Sequence, residues 1–521
     1  MRNPYGPRGR TTSEIARGSP ASERYLRRLG LDLRSCAGGS AGRARATPAY
    51  SGLVPEFPYS RLRRWPDVEA DNLQAYDATD LLLVERALAL GIPGPETVVI
   101  GDEYGAITLA LADAGRRGIR VHQDLTTGRR ALQRNAEELG PDGAAGRNGD
   151  EDDAERRVAA RHSADESDGP GSGAPFTPHE LDADLLSGAR LVLLQLPKAL
   201  AELEEIADAV ARWAAPDVVL IAGGRVKHMT LTQNDVLGRS FAQVQAQRAE
   251  RKSRLIVASE PRPVPAEPPF PVTARHDGLT LVAHGGAFAG ARLDIGTRVL
   301  LEVLGPEAFR LASLAQRPEA SLAQRPEAFR LASLAQRPEA SPGQRPEASP
   351  GQRPEASPGQ KPEGSPGQRP EGRRVLDLGC GTGALAVSWA LANPEDRIVA
   401  TDRSAAAVAS ARATAAANGV ADRVMVTHDD AASEIPDASV DVVLLNPPFH
   451  LGASIHTGAA TRLFEAAARV LRPGGELFTV YNSSLAYRPE LARLIGATEQ
   501  LRRTPKFTVT RSVRRAETPA S

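Results

Sequence analysis

Short apolar runs alternate with longer segments of helical pattern in the carboxyl-terminal half of the chain. Residues 375–378 and 440–445 are almost wholly apolar, which is typical of strands buried on both faces of a parallel sheet. Residues 384–391 and 404–418 follow such runs and have the composition and spacing of helices. This alternation of strand and helix predicts an α/β fold.

The amino-terminal half repeats the alternation with altered loops. Residues 97–101 and 191–196 are apolar runs that predict the first and fourth strands of a second sheet. After the first run, Asp102-Glu-Tyr-Gly105 stands in place of a triple-glycine loop, and after the second comes Pro197-Lys198. The sequence therefore predicts two tandem α/β units, of which the amino-terminal one is degenerate.

The loop after the first carboxyl-terminal strand is rich in glycine. Gly379, Gly381 and Gly383 allow the backbone to turn tightly beneath a ligand. Asp402 ends the next apolar run, where a carboxylate can accept hydrogen bonds from both hydroxyls of a ribose. Folds that bind nicotinamide dinucleotides use glycines in the same place, so the loop alone leaves the cofactor open.

The spacing Asp-x-Gly-x-Gly-x-Gly that starts at Asp377 resembles motif I of the class I S-adenosylmethionine (SAM) methyltransferases. Asp430, after the predicted strand at 423–427, falls where such folds contact the adenine. The resemblance therefore implies SAM as the cofactor. It implies a SAM site that includes Asp377, Gly379, Gly381, Gly383, Asp402 and Asp430.

A second motif, Asn446-Pro447-Pro448-Phe449, lies at the carboxyl edge of the predicted sheet, where open α/β sheets bind ligands. A planar exocyclic amine is a weak nucleophile because its lone pair is delocalised into the ring. The amide oxygen of Asn446 and a nearby backbone carbonyl can accept its two N–H bonds and align the nitrogen with a methyl donor. Phe449 offers a face on which a flipped base can stack.

These four residues are the predicted catalytic site. The motif by itself leaves four acceptors open: guanine N2, adenine N6, cytosine N4 and a glutamine side chain.

Further segments resemble, in order, the signatures of bacterial ribosomal RNA guanine-N2 methyltransferases of the small-domain type. The resemblance implies guanine N2 as the acceptor and places Phe288 and Asp294 over the cofactor. Ser483 departs from the family pattern, in which an arginine is usual. The matching segments are 286–289, 293–298, 446–450, Tyr481-Asn482 with Tyr487, and Lys506-Phe507 before Val509.

Segments 62–66, 72–80 and 224–229 resemble the amino-terminal domain of the large-subunit (23S) branch, and the small-subunit (16S) branch less well. The resemblance implies that this half recognises the substrate, and its altered loops predict that it binds no SAM. Basic side chains at predicted strand ends and loops suit an RNA backbone. The predicted RNA-binding residues are Arg63, Arg64, Arg225, Lys227, Arg254 and Lys506.

Three segments have the composition of unfolded chain. Residues 306–372 repeat Pro-Glu-Ala-Ser-Pro-Gly-Gln-Arg and a longer variant, and prolines at such short intervals exclude continuous helix or paired strand. We therefore predict a disordered insertion here, between neighbouring elements of the catalytic fold. Residues 140–175 predict an acidic insertion, and residues 1–50 predict a disordered basic leader.

Composition changes this picture little. The 521 residues, 41% hydrophobic, can bury more than one core, and a formal net charge of zero hides local basic and acidic stretches. The sequence has no bilayer-spanning apolar run and no signal-peptide pattern, so we expect a cytoplasmic protein without a membrane partner. Cys36, Cys380 and the histidines have no metal-ligand spacing, so no metal is expected.

Together these features predict two tandem class I methyltransferase-like (Rossmann-like) units. Residues 51–265 would be a degenerate RNA-recognition domain, and residues 270–305 and 373–515 a catalytic domain. The predicted reaction is methyl transfer from SAM to the N2 amine of a guanine in 23S rRNA, by a monomer. A 16S guanine, another planar nitrogen, or a non-catalytic RNA-binding assembly factor are the alternatives. The intact motif I and Asn446 argue against the last.

Overall fold

The computed structural model describes residues 57–70, 72–139, 174–305, 372–448 and 457–516. The predicted leader, most of the acidic insertion and nearly all of the repeat segment lie outside these residues, as does Phe449. Within the described ranges, none of the helices is both long and apolar enough to cross a membrane.

The amino-terminal half folds around one sheet of seven strands in the order β3-β2-β1-β4-β5-β7-β6. The first five strands in that order are parallel to their neighbours, and β7 is antiparallel to both β5 and β6. Its strands are β1 (Thr97–Ile100), β2 (Ile119–His122), β3 (Phe176–Pro178), β4 (Leu191–Gln195), β5 (Val219–Arg225), β6 (Phe241–Ala246) and β7 (Ser253–Pro261). Its helices are α1 (Ala78–Leu90), α2 (Ala106–Asp113), α3 (Thr126–Leu139), α4 (Ala183–Leu186), α5 (Leu200–Trp213) and α6 (Thr232–Ser240).

Both faces of this sheet are covered, which explains why its strands are apolar throughout. Leu191 and Leu193 join a core with α1, α2 and α3. Val192 and Leu194 point to the opposite face and join a core with α4, α5 and α6.

The carboxyl-terminal half follows a two-stranded hairpin and α7, and its sheet has the order β12-β11-β10-β13-β14-β16-β15. Here too the first five strands are parallel, and β16 is antiparallel to both neighbours. The strands are β8 (Val272–His276), β9 (Leu279–Ala283), β10 (Arg374–Leu378), β11 (Arg397–Asp402), β12 (Val424–His428), β13 (Val440–Leu445), β14 (Leu471–Asn482), β15 (Gly496–Arg503) and β16 (Phe507–Arg514). The helices are α7 (Ile295–Val303), α8 (Ala384–Ala392), α9 (Ala405–Ala417), α10 (Thr457–Val470) and α11 (Arg488–Leu494).

The two seven-stranded sheets have the same strand order once β1 is equated with β10. This confirms the predicted fold class of two tandem Rossmann-like α/β units. Both sheets belong to one compact unit, formed by the described residues up to 303 and from 373 onward.

Two helices of the carboxyl-terminal half begin at residues whose side chains cap them. Asp294 precedes α7 and its carboxylate accepts the Thr297 N–H at 3.0 Å. Ser404 caps α9, with its hydroxyl accepting the Ala407 N–H at 3.1 Å. Each cap places a polar side chain at the carboxyl edge of the second sheet, where the candidate site lies.

Candidate functional site

The glycine loop between β10 and α8 has the left-handed backbone that its sequence predicts. Gly379, Gly381 and Gly383 have φ angles of 76°, 53° and 77°. A Cβ atom at Gly379 or Gly381 would meet nothing within 4 Å, whereas one at Gly383 would lie 3.0 Å from the Cβ of Ala411. The first two glycines therefore leave open space for a ligand, and the third lets the loop pack closely on α9.

Asp377 lies beneath this loop and is 1% exposed. One of its oxygens, Oδ2, accepts the Ala386 N–H at 2.9 Å, while Oδ1 is buried without a hydrogen-bond partner. Burial raises the pKa of Asp377 to about 7, against the Ala386 hydrogen bond and with a smaller contribution from the charge of Asp402. A buried acceptor without a hydrogen-bond partner destabilises the protein, so a ligand that donates a hydrogen bond to Asp377 Oδ1 would stabilise the folded state.

Asp402 connects the glycine loop to the next turn. Its Oδ2 accepts the Gly381 N–H at 2.9 Å and its Oδ1 accepts the Ser404 N–H at 3.0 Å. Burial raises the pKa of Asp402, and these two hydrogen bonds oppose the shift. Each oxygen retains a second lone pair, which can accept a hydrogen bond from a ribose hydroxyl.

Asp430 lies beyond the end of β12, as predicted, but its carboxylate forms an ion pair with Arg462 of α10. Burial raises the pKa of Asp430 and the positive charge of Arg462 opposes the shift. Arg462 also donates to the carbonyl of Pro66, at 3.2 Å, in the other half of the chain. The adenine contact proposed for Asp430 stays a prediction.

Asn446 is held in one orientation by the start of α7. Its Nδ2 donates to Asp294 Oδ2 at 3.1 Å and to Thr297 Oγ1 at 2.9 Å. Because a carboxylate only accepts, the contact with Asp294 identifies the nitrogen end of the amide. The other end, Oδ1, is buried and has no hydrogen-bond partner within the part of the chain that the structure describes. Pro447 and Pro448 follow directly and contribute carbonyls but no N–H donor.

Two residues beside Asn446 belong to segments that the sequence resemblance includes, although neither was a candidate for the site. A Cβ atom at Gly296 would lie 3.1 Å from Asp294 Oδ2, 3.4 Å from Asn446 Oδ1 and 3.4 Å from the ring of Phe507. The ring of Phe507 and the amide oxygen of Asn446 therefore both border the space beside Gly296. Lys506 extends over that ring, with its ammonium 5.6 Å from the centroid.

Two cavities meet at this edge of the second sheet. The cavity beside Asn446 is narrow, about 50 Å³, and the glycine loop, Phe288 and Asp294 line it. A cavity of about 1240 Å³ shares Phe288 and Gly381 with it and extends past Asp402. The ring of Phe288 is 60% exposed where the two meet. Five of the predicted cofactor residues line one or both cavities, namely Phe288, Asp294, Gly379, Gly381 and Asp402, whereas Asp377, Gly383 and Asp430 line neither. The larger cavity has room for a ligand of nucleoside size or larger.

The amino-terminal half holds the turn that follows Asp402. The carbonyl of Asp124 accepts the Ala405 N–H at 3.0 Å, and its carboxylate accepts the Ala406 N–H at 2.8 Å. Thr126 donates its N–H to the carbonyl of Arg403 at 2.8 Å. Asp124 thus supplements Ser404 at the start of α9, which no local sequence pattern indicates.

Three of the predicted RNA-binding residues lie together at the end of the first sheet. Arg225 ends β5 and Arg254 pairs with its neighbour Gly224 across β5 and β7. Lys227 follows in a short 3₁₀ turn and is exposed. Arg225 lies 3.6 Å from the carboxylate of Asp77, so part of its charge is balanced within the protein.

The other basic candidates are not part of that group. Arg64 donates to the carbonyls of Val68 and Gln74, and its guanidinium lies 4.6 Å from the centroid of the Tyr104 ring. Much of its hydrogen-bonding capacity is therefore used within the protein. Arg63 is exposed, and Lys506 lies in the other half of the chain.

The first sheet has a modified version of the same site. Gly101 and Gly105 keep left-handed backbone, with φ angles of 81° and 89°, but Glu103 occupies the position of Gly381. The fourth strand ends at Gln195. The position equivalent to Asn446 is therefore filled by Gln195.

This equivalence corrects the sequence-based alignment, which placed Pro197-Lys198 opposite the Asn-Pro-Pro-Phe motif. Ile100 pairs with Leu194 as Leu378 pairs with Leu445, so the residue after each pair is equivalent. The sequence-based alignment counted Gln195 and Leu196 with the apolar strand and therefore began the comparison at Pro197.

The chain is similar to proteins of known family along most of its length. A family model described as methyltransferase small domain matches residues 367–511, and one described as RLMG N-terminal domain matches residues 54–148 and 168–262. The ribosomal RNA large subunit methyltransferase G of Streptomyces coelicolor is 30% identical over 463 residues, which cover 87% of this chain and 97% of the relative. The protein of the same name from Stutzerimonas stutzeri is 30% identical over 467 residues, covering 88% and 99%.

Among solved structures, a 16S rRNA N2 methyltransferase from T. thermophilus, in complex with AdoMet and guanosine, has the same fold. Its TM-score is 0.55 at 19% sequence identity, and the match covers 84% of this chain and 92% of that one.

Proposed function

The chain belongs to the family of the ribosomal RNA large subunit methyltransferases G, and we propose that it methylates the exocyclic N2 amine of a guanine in 23S rRNA. Methylation of rRNA with SAM as donor is the activity of the family. The acceptor atom, the 23S target and the residue roles that follow belong to the proposal. We assign residues 51–265 to RNA recognition and residues 270–305 and 373–515 to catalysis.

The observation that supports the acceptor site is the buried, unpartnered Oδ1 of Asn446. Asp294 and Thr297 hold the amide nitrogen, so the oxygen points to where an amine donor would satisfy it. Asn446 Oδ1 accepts one N–H of the guanine amine, and a carbonyl of the proline pair accepts the other. Positioning of this kind supplies much of the barrier reduction for a weak nucleophile.

The residues of the glycine loop fit SAM. When bound, SAM supplies an electrophilic methyl group on a sulfonium. Gly379 and Gly381 would leave room for its methionine part, Asp377 would offer a carboxylate oxygen to its ammonium group, and Asp402 would accept hydrogen bonds from its ribose hydroxyls. The methylated amine then loses its extra proton to water, so no strong general base is needed.

Nucleoside mass spectrometry of rRNA from a strain that lacks this gene tests the reaction. We expect N2-methylguanine to fall in 23S rRNA and to return with the intact gene but not with Asn446→Ala. An unchanged 23S profile together with a loss from 16S rRNA would correct the target, and unchanged profiles in both would refute the proposal. An rRNA substrate also implies action in the cytoplasm. The monomeric state stays a prediction.

SAM affinity is expected to depend on pH through Asp377. The pKa of its carboxyl is about 7 in the free protein, and a cationic ligand favours the ionised form. Binding below pH 7 must therefore release a proton, so affinity falls by up to about tenfold per pH unit below that pKa and levels off above it. Calorimetry in buffers of different ionisation enthalpy measures the released proton. Asp377→Asn is the control, and its affinity for SAM should be nearly independent of pH.

Asp124→Ala is expected to weaken SAM binding although Asp124 lies in the other half. It removes a cap from α9 and frees the turn that holds Asp402, which should raise the dissociation constant of SAM about three- to tenfold. The rate at saturating SAM should change little. Asp124→Asn, which keeps an oxygen acceptor, should restore most of the affinity. Equal affinities in all three proteins would contradict this coupling.

Lys227→Glu combined with Arg254→Glu is expected to weaken RNA binding, because two phosphate contacts are lost. The slope of log affinity against log salt concentration should become shallower by roughly 2. Filter binding of rRNA fragments over a salt series measures both quantities. Arg488→Glu combined with Arg493→Glu on α11, where both residues are exposed, is the matched charge control. An unchanged salt slope in the double variant would exclude this surface as the RNA platform.

A further inference from the structure

The amino-terminal half repeats the acceptor arrangement of the carboxyl-terminal half with different residues. Gln195 has the place in the first sheet that Asn446 has in the second. Its Nε2 donates to Asp80 in the first turn of α1, as Asn446 Nδ2 donates to Asp294 before α7. An amide held by a carboxylate therefore stands at the carboxyl edge of both sheets.

A second polar side chain at the carboxyl edge of the first sheet has an unused hydrogen-bond donor. Gln123 directly follows β2, at the position equivalent to Asp402 at the end of β11. Its side chain is 6% exposed and its Oε1 accepts the Leu125 N–H at 3.2 Å, but its Nε2 has no hydrogen-bond partner. A buried donor without a partner is destabilising unless a ligand acceptor satisfies it.

Gln123, Gln195 and Asp80 line the same cavity of about 1240 Å³. Single-ligand pockets are usually about 300–1,000 Å³, so this cavity has room for a second ligand beside the proposed cofactor. Gln123 and Gln195 follow strands that flank β1, and neighbouring strands lie about 4.8 Å apart, which places these two positions roughly 10 Å apart. One nucleoside can span that separation from its ribose hydroxyls to the far edge of its base.

The part of the cavity lined by Gln123, Gln195 and Asp80, which we call the amino-terminal cleft, differs from the cofactor site in one respect. Glu103 stands where Gly381 stands in the second half, so the methionine carboxylate of SAM would face a carboxylate instead of an open glycine. The remaining polar groups suit a nucleoside without an amino-acid tail. Arg225 and Lys198, which line the same cavity, suit the phosphates on either side of such a nucleoside in an RNA strand.

We propose that this amino-terminal cleft binds one unpaired nucleoside of the RNA, with Gln195 and Asp80 at the edge of its base and Gln123 at its ribose. Nucleoside binding does not depend on the proposed methyl transfer. That the nucleoside belongs to the RNA substrate rests on the proposed function.

The test uses the full chain with Asn446→Ala, which removes the acceptor amide of the other half, at a saturating concentration of S-adenosylhomocysteine, which would fill the proposed cofactor site. Adenosine, guanosine and a short single-stranded RNA oligonucleotide are titrated, and binding is followed by saturation-transfer NMR or calorimetry. We expect binding to persist in Asn446→Ala and to weaken about tenfold or more when Gln195→Leu is added, because the base loses its amide partner. Gln123→Leu, added instead, is a second variant with the same expected result. Melting temperatures show that each variant is folded.

Nucleoside binding that is absent in Asn446→Ala, or unchanged by both added variants, would overturn the proposal. Weaker binding of adenosine with unchanged binding of the oligonucleotide would assign the cleft to a free nucleoside and overturn the RNA assignment. A protein that shows Gln195-dependent binding but methylates no rRNA would refute the proposed reaction while leaving this site in place.

Discussion

Replacing Asn446 by alanine is expected to lower the single-turnover rate of methyl transfer about 100-fold or more, a loss typical of removing one preorganised polar group from a transition state. The dissociation constant of SAM should stay within about twofold, since Asn446 belongs to the acceptor side of the cavity. Its Oδ1 has no hydrogen-bond partner among the described residues, and we expect it to accept a hydrogen bond from the amine. Single-turnover methylation of an rRNA fragment and calorimetry with SAM measure the two quantities.

Thr297→Val is the matched variant, because it keeps the shape of the site and removes one of the two acceptors that orient the amide. Its rate should lie between those of the intact protein and Asn446→Ala, since Asp294 still holds the nitrogen end. A full single-turnover rate in Asn446→Ala would show that the amide does not orient the acceptor. A large loss of SAM affinity in that variant would instead place Asn446 in the cofactor site.

Local patterns were sufficient to predict the elements of the catalytic half. The strands before Gly379 and Asn446 are apolar because both faces of the sheet are covered, and the glycines are needed because the loop has left-handed backbone. These requirements act on consecutive residues. They are therefore visible in the sequence without knowledge of the fold.

Residues that act across long chain separations were not predictable in the same way. Asp124 reaches the start of α9 from the other half, and Arg462 neutralises Asp430 from α10, and neither contact leaves a local pattern. Gln195 was missed for a related reason. It follows directly on an apolar run and was counted with the strand, and only strand pairing identified it as the residue equivalent to Asn446.

Gly379→Arg is expected to abolish SAM binding, whereas Gly101→Arg should leave one SAM site per chain with unchanged affinity. The two glycines occupy equivalent positions, with φ angles of 76° and 81°, so each substitution strains its own loop similarly. Only the Cβ of residue 379 would project into the open space that the proposed cofactor fills. The paired variants thus separate loss of the site from general destabilisation of the fold.

Asp402→Ala should give a graded version of the same result. The ribose would lose hydrogen bonds to a charged acceptor, each worth about 1.5–3 kcal/mol, so SAM affinity should fall roughly 100-fold or more. The SAM affinity of Asp402→Asn should fall less, because one side-chain oxygen can still accept a hydrogen bond. Calorimetric titration gives the stoichiometry and affinity together. Two SAM sites in the intact protein, or one site that survives Gly379→Arg combined with Asp402→Ala, would show that SAM binds outside the carboxyl-terminal half. Either result would contradict the expectation that Glu103 and the altered amino-terminal loop exclude SAM from the other half.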